Sequence, residues 1–201
     1  LVHGRHWIPW KLTVDGKKPR SGEILCAYSI WIAEVMLQQT KLNVVLPFWK
    51  KWMVNFPSLE VLAKADEQEV LLHWQGLGYY SRAKRLHAAA KILFDVSKAS
   101  QHLLDDELFW PRHLDQWIQL PGIGRSTAGS IISSAFDLPA PLLDGNIKRI
   151  LSRLIASSIP PNKDELRLWS LSLELLDTQS PRKFNQALMD LGATVCTPNN
   201  P

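Results

Sequence analysis

No long stretch of the 201 residues alternates apolar with polar side chains, and clusters of Val, Ile and Thr are sparse, so the period-2 signature of a half-buried strand is missing. Helix start and stop signals recur instead. Asp66-Glu67-Gln68-Glu69 has the form of a capping box, with Asp66 as N-cap and Glu69 reaching back, and Gly76 suits the end of that helix. The spacing predicts helices over Ile30–Thr40 and Tyr79–Val96. The second carries Ala83, Leu86, Ala90 and Leu93 on one face, with Arg82, Lys84, Arg85 and Lys91 supplying the charge. Shorter helices are expected over Leu114–Leu120 and Ser126–Phe136, and an amphipathic one over Asp144–Ala156 through Ile147, Ile150, Leu151 and Leu154. Ser180-Pro181 reads as an N-cap with Pro at the first helical position, opening a Phe184, Leu188, Leu191 stripe that ends at Gly192. The fold class is therefore all-α, with many short helices rather than a long four-helix bundle.

A chain of this length with 46% hydrophobic residues can build one large core or two small ones. Nine tryptophans are chiefly packing anchors. A net charge of +4 permits a polyanionic partner without demanding one. Two cysteines, Cys26 and Cys196, make no disulfide framework and point to a reducing compartment, cytoplasmic and nucleoid-associated if the source is bacterial. No apolar run approaches the roughly 20 residues that span a bilayer, so no membrane partner is expected. The first residues are too polar for a secretory signal, and the absence of an initial Met reads as a fragment.

Leu120-Pro121-Gly122-Ile123-Gly124-Arg125-Ser126-Thr127-Ala128-Gly129 is the first stretch with chemical content. Pro121 stops one helix, Gly122 and Gly124 permit positive φ and bare the backbone, and a new helix opens near Arg125 with its N–H groups outward. A DNA phosphate fits such a turn, with Ile123 plugging the gap between the helices; an ordinary αα-corner has the same letters. Two carboxylates stand out. Glu34 lies amid apolar residues in Trp31–Thr40, where partial burial would raise its pKa and let it hold a proton at neutral pH. Asp144 precedes a helix in Leu143-Asp144-Gly145-Asn146, where it is also a natural N-cap. Cleaving an N-glycosidic bond needs an acid for the leaving base and a negative charge for the oxocarbenium-like sugar, and two carboxylates can divide those duties. Spacing alone does not pair them, and a Glu on a solvent face would look the same.

Glu34-Val35-Met36-Leu37-Gln38-Gln39-Thr40, Gly76-Leu77-Gly78-Tyr79-Tyr80, the hairpin stretch, Leu143-Asp144-Gly145-Asn146 and Phe184-Asn185-Gln186-Ala187 occur in that order. Together they resemble the MutY-type adenine DNA glycosylases of the helix-hairpin-helix superfamily that includes endonuclease III, from about Trp7 to Cys196. The resemblance implies two helical lobes, a six-helix barrel with the hairpin over 20–138 and a second lobe from 1–19 with 139–201, and an active site in the cleft between them. It implies a monomer acting on double-stranded DNA that carries adenine mispaired with 8-oxoguanine or guanine. The adenine is flipped out of the stack. Glu34 would be the general acid at N7 and later help activate water. Asp144 would stabilise the sugar cation, and Asn146 would support both carboxylates.

By the same resemblance Gln39 is a wedge at the vacated stack, Tyr79 intercalates beside the oxidised guanine, and Leu77 and Thr40 lie near that base. Gly122, Gly124 and Ser126 belong to the DNA-binding hairpin, Lys148 lies close to the DNA, and Ile8, Trp10 and Gln186 wall the adenine pocket. Relatives with lyase activity carry a Schiff-base lysine where this chain has Ser126, so the resemblance implies a monofunctional enzyme. Thymine-removing relatives tend to lack the acid that Glu34 supplies. A non-catalytic helix-hairpin-helix DNA-binding module and an endonuclease III-like pyrimidine glycosylase are the alternatives. The family also holds a [4Fe–4S] cluster on four cysteines. Cys196 matches the first ligand and the second would fall just past Pro201, so the sequence reads as cut within that motif, and also lacks the family's C-terminal Nudix-like domain. The loop from Leu12 to Ala27 is longer than usual for the family, and Cys26 in it has no ligand spacing around it.

Overall fold

The computed structural model describes residues 4–99 and 109–199, and every regular element among them is helical. The chain forms two compact units, Cys26–Gly124 and Leu1–Leu25 with Arg125–Pro201. No described helix is long and apolar enough to cross a membrane.

The Cys26–Gly124 unit contains α1 (Ala27–Leu37), α2 (Leu42–Asn55), α3 (Leu59–Lys64), α4 (Glu67–Trp74), α5 (Ser81–Ala99) and α6 (Leu114–Ile118). Its core is aromatic: Trp31, Trp52, Trp74 and Trp117 are fully buried. Trp52 meets Trp74 edge-on at 5.5 Å, and Trp31 lies 6.2 Å from Trp117. Such rings contribute contact area and a geometric preference of about 0.5–1.5 kcal/mol per pair. Asp66 caps α4 by accepting from Gln68 N at 2.8 Å. Gly76 follows the helix with φ +103, and a side chain there would also strike Phe48. Ala83, Leu86, Ala90 and Leu93 form the buried face of α5, as their spacing predicts.

Arg82 departs from expectation. It sits on the charged side in the sequence pattern, yet only 7% of it is exposed. Tyr79, the first residue of the predicted helix, lies outside the observed one, because its φ of +49 is incompatible with a right-handed turn and α5 starts two residues later. The helix expected over Ile30–Thr40 is shifted to Ala27–Leu37, since Gln39 has φ +57 and ends it.

The second unit contains a 3₁₀ turn (Pro9–Lys11) and α7 (Arg125–Phe136), α8 (Gly145–Leu154), α9 (Glu165–Glu174) and α10 (Pro181–Thr194). Leu142, Leu143, Ile147, Leu151 and Leu168 make a core cluster, flanked by Trp169, Leu188 and Met189. Pro181 occupies the first turn of α10, but Ser180 makes no side-chain cap. Gly192 does not end this helix. It lies inside it because a Cβ there would come within 2.7 Å of Asn146 Cβ on α8. The buried face of α10 is likewise not the Phe184, Leu188, Leu191 stripe: Pro181, Arg182, Asn185, Asp190 and Gly192 are the buried positions, Phe184 and Leu188 are half-buried and Leu191 is exposed. Leu154, expected on the apolar face of α8, is exposed too.

The long loop before α1 is anchored by Arg182, 3% exposed, which donates to Ser134 O and Ala135 O of α7 and to Arg20 O and Glu23 O of the loop. Asp137 completes the tether, accepting from Gly22 N at 2.7 Å and Arg182 N at 3.0 Å.

Candidate functional site

Asp144 reaches its place through an extended run in which consecutive residues are each held differently. Ala140 O accepts from Asn185 Nδ2 at 2.9 Å, Leu142 O from Ser172 Oγ at 2.8 Å, and Leu143 N donates to Ser126 Oγ at 3.1 Å. At Pro141 the carbonyl packs against α7 so closely that a Cβ on Gly129 would lie 2.2 Å from it. Asp144 then caps α8, accepting from Ile147 N at 2.8 Å through Oδ1. The carboxylate is half-buried, at the positive end of a helix dipole that favours its charge. Two of the predicted site residues thus share one local framework: Ser126 holds the residue next to Asp144.

Gly129→Ala is expected to displace this run, because the atom it strikes is backbone and has no rotamer to yield. Overpacking of this kind costs about 1–3 kcal/mol, so the melting temperature falls. Circular dichroism against temperature measures it; an unchanged melting curve would show that α7 and Pro141 separate freely.

One turn into α8, Asn146 Oδ1 accepts from Arg149 Nη2 at 2.9 Å, and the same nitrogen donates to Gly192 O. Lys148 pairs with Glu165 of α9 at 3.2 Å. Gln186 is half-buried on α10, while Ile8 and Trp10 are buried beside the 3₁₀ turn. The sequence reading missed what fixes that segment: Asp190. Its carboxylate accepts from Arg5 N at 3.0 Å, Arg5 Nε at 2.7 Å and Lys11 Nζ at 3.3 Å, so Ile8-Pro9-Trp10 is clamped at both ends to α10, one turn beyond Gln186. Burial pushes the Asp190 carboxyl up, but Lys11 and Arg5 outweigh it and hold it below the ordinary carboxylate range. An Asp within an apolar stripe, with no basic residue four positions away on its own helix, was the available signal.

In the other unit, Glu34 is half-buried on α1, whose residues from Ala27 to Ala33 are buried, as are Val35 and Met36. Just past it, Gln39 is exposed in the left-handed region. Thr40 is half-buried and its hydroxyl accepts from Arg82 Nη2 at 3.1 Å. Leu77 is buried, whereas Tyr79 is 62% exposed with φ +49. Gly122 has φ +82, the conformation its turn requires, and its carbonyl accepts from Gln38 Nε2 at 3.3 Å. Gly124 lies outside the left-handed region, contrary to expectation, and a Cβ there would meet only open space. Ile123 is buried as expected of an apolar plug.

Arg82, expected on the charged face of α5, is instead buried against two turns. Nη1 donates to the carbonyls of Val35, Met36 and Gln38, and Nη2 to those of Leu77 and Gly78 and to the Thr40 hydroxyl. The guanidinium lies 5.4 Å from both the Trp74 and Tyr79 rings. Burial lowers its pKa, and Tyr79 opposes the shift. Its position carries a hint, because a cation in the first turn of a helix opposes the dipole and calls for another duty.

Cys196 Sγ accepts from Arg153 Nη1 at 3.2 Å, and Cys196 O from Arg149 Nε at 2.8 Å. Among the described residues no group of three His, Cys, Asp or Glu side chains stands close enough to hold a metal. One thiolate does not make a four-iron site, so the residues present do not fit the expected cluster. Cys26 is the other cysteine, exposed at the N-cap of α1.

The described elements are all helical, and known proteins with sequence similarity give the family. Residues 32–171 match the family described as HhH-GPD superfamily base excision DNA repair protein, and the chain belongs to that superfamily. It is 41% identical over 197 residues to the adenine DNA glycosylase of Mus musculus, covering 96% of this chain and 36% of that protein. It is 37% identical over 196 residues to the adenine DNA glycosylase of Buchnera aphidicola subsp. Acyrthosiphon pisum, covering 96% of this chain and 50% of that one. The chain therefore spans half or less of the length of these curated relatives. A thermostable thymine-DNA glycosylase has the same fold, with a TM-score of 0.73 and 26% identity over 87% of this chain and 77% of that one.

Proposed function

We propose that this chain is the catalytic part of a monofunctional adenine DNA glycosylase that hydrolyses the N-glycosidic bond of adenine mispaired with 8-oxoguanine or guanine in duplex DNA. The observation that carries this reading is the 41% identity to an adenine DNA glycosylase across 96% of the chain, a span that includes Glu34 and Asp144. Glu34 protonates the departing adenine at N7. Asp144 stabilises the cationic sugar, and Glu34, now ionised, takes a proton from the water that adds to it, leaving free adenine and an abasic site. Gln39, Thr40, Leu77 and Tyr79 face the opened base step, the Gly122–Ser126 turn takes a phosphate, Lys148 lies beside the backbone, and Ile8, Trp10 and Gln186 receive the base. Asn146, fixed by Arg149, supports the carboxylates. The chain acts as a monomer.

Ser126 supports the monofunctional assignment. A hydroxyl forms no imine, and this one accepts a hydrogen bond from Leu143 N. Incubating the protein with a duplex containing 8-oxoguanine opposite adenine is expected to release adenine and leave the strand intact until alkali is added. Release of an oxidised pyrimidine with strand scission and borohydride trapping would favour the endonuclease III-like reading. Tight duplex binding with no base released from either substrate would favour a non-catalytic binding module.

A further inference from the structure

Two non-glycine residues in the Cys26–Gly124 unit hold left-handed backbone next to the proposed DNA-facing side chains: Gln39 at φ +57 and Tyr79 at φ +49. Each costs roughly 1–2 kcal/mol and persists only where the surroundings dictate it. The Gln38–Thr40 turn and the Leu77–Tyr79 turn are separated by about forty residues of sequence, yet both end on one side chain. Arg82 takes the carbonyl of Gln38 and the hydroxyl of Thr40 from the first turn, and the carbonyls of Leu77 and Gly78 from the second. It also receives Val35 O and Met36 O, two of the carbonyls that the last turn of α1 leaves without helical partners. Gln39 stands at the left-handed position where glycine usually closes a helix, and the remote guanidinium satisfies the carbonyls behind it. Trp74 secures the second turn from the other side, donating Nε1–H to Gly78 O at 3.0 Å.

We propose that Arg82 is a positioning residue that couples Gln39 to Tyr79, so that the two side chains meet the duplex as one rigid pair. This rests on the proposed function, which places both on the DNA. A planar fork with five N–H donors can serve two turns at once; a lysine ammonium, with three donors on a point charge, cannot reproduce that geometry. An arginine that merely supported the fold would weaken every DNA contact alike when replaced.

The test is a double-mutant cycle, Gln39→Ala and Tyr79→Ala singly and together, carried out with Arg82 present and again in Arg82→Lys. The readout is the dissociation constant for a duplex holding 8-oxoguanine opposite a 2′-fluoro-deoxyadenosine, which resists cleavage. With Arg82 present, the two losses are expected to depart from multiplicativity by at least about fivefold. In Arg82→Lys they multiply. Coupling that survives in Arg82→Lys, or that is absent with Arg82 in place, overturns the proposal. If Arg82→Lys does not fold, Thr40→Val, which removes the side-chain acceptor that Arg82 holds on the first turn, replaces it, and undiminished coupling there overturns the proposal equally. Excision of ordinary adenine by the unaltered protein is measured in parallel. Its failure rejects the glycosylase reading while leaving the coupling result standing.

Discussion

Replacing Asp144 by Asn is expected to leave the melting temperature unchanged and to slow adenine excision by about 10²–10³-fold. The two outcomes separate because the proposed function adds a second duty to the cap that Asp144 makes. As N-cap of α8 it accepts from Ile147 N through one oxygen, and an Asn side chain caps a helix as well as Asp does. In its proposed role as the charge beside a cationic sugar it has no neutral substitute. Asp144→Ala, by contrast, loses both, and should destabilise the protein by about 0.5–2 kcal/mol as well. Single-turnover excision from an 8-oxoguanine:adenine duplex, read beside thermal melts of the two variants, makes the comparison. Near-normal excision by Asp144→Asn would reduce this residue to a helix cap.

Glu34→Gln is expected to cost about 10²–10⁴-fold in the same assay while binding of the duplex survives. Gln keeps the shape and hydrogen-bonding capacity of a protonated Glu but has no proton to give the leaving base and none to take from water. α1 is otherwise almost wholly apolar and buried along its length, and Glu34 is its one ionisable carboxyl, half-buried. A variant that excises at the normal rate would remove Glu34 from the chemistry.

Helical class, the α4 cap and the apolar face of α5 were legible because each depends on residues near one another in sequence. α2 was not: Pro47 stands inside it and reads as a breaker, while its anchors Val45 and Trp52 are too few to announce a stripe. Of the two candidate carboxylates, Asp144 is the cap its context suggested, and Glu34 is half-buried as its apolar neighbours predict. What escaped notice was the scaffolding behind the site. Arg82, Arg182 and Asp190 all look like surface charges in a helical pattern, and all are buried with partners far off in sequence. Burial of a charge is decided by those remote partners, which periodicity does not see.

Ser126 and Gly129 lie one helical turn apart, and they face Leu143 N and Pro141 O respectively. The two contacts act as pegs that set the register of an extended strand of backbone against a helix. Adding or removing one residue anywhere from Ser130 to Ala140 would leave the pegs intact only if the intervening turn absorbed the change. A slip within the pegged stretch itself would present a side chain where only hydrogen fits. Tolerance to insertion should therefore be low along this short stretch and higher at the exposed residues 14–18, ahead of the loop's anchors at Arg20, Gly22 and Glu23.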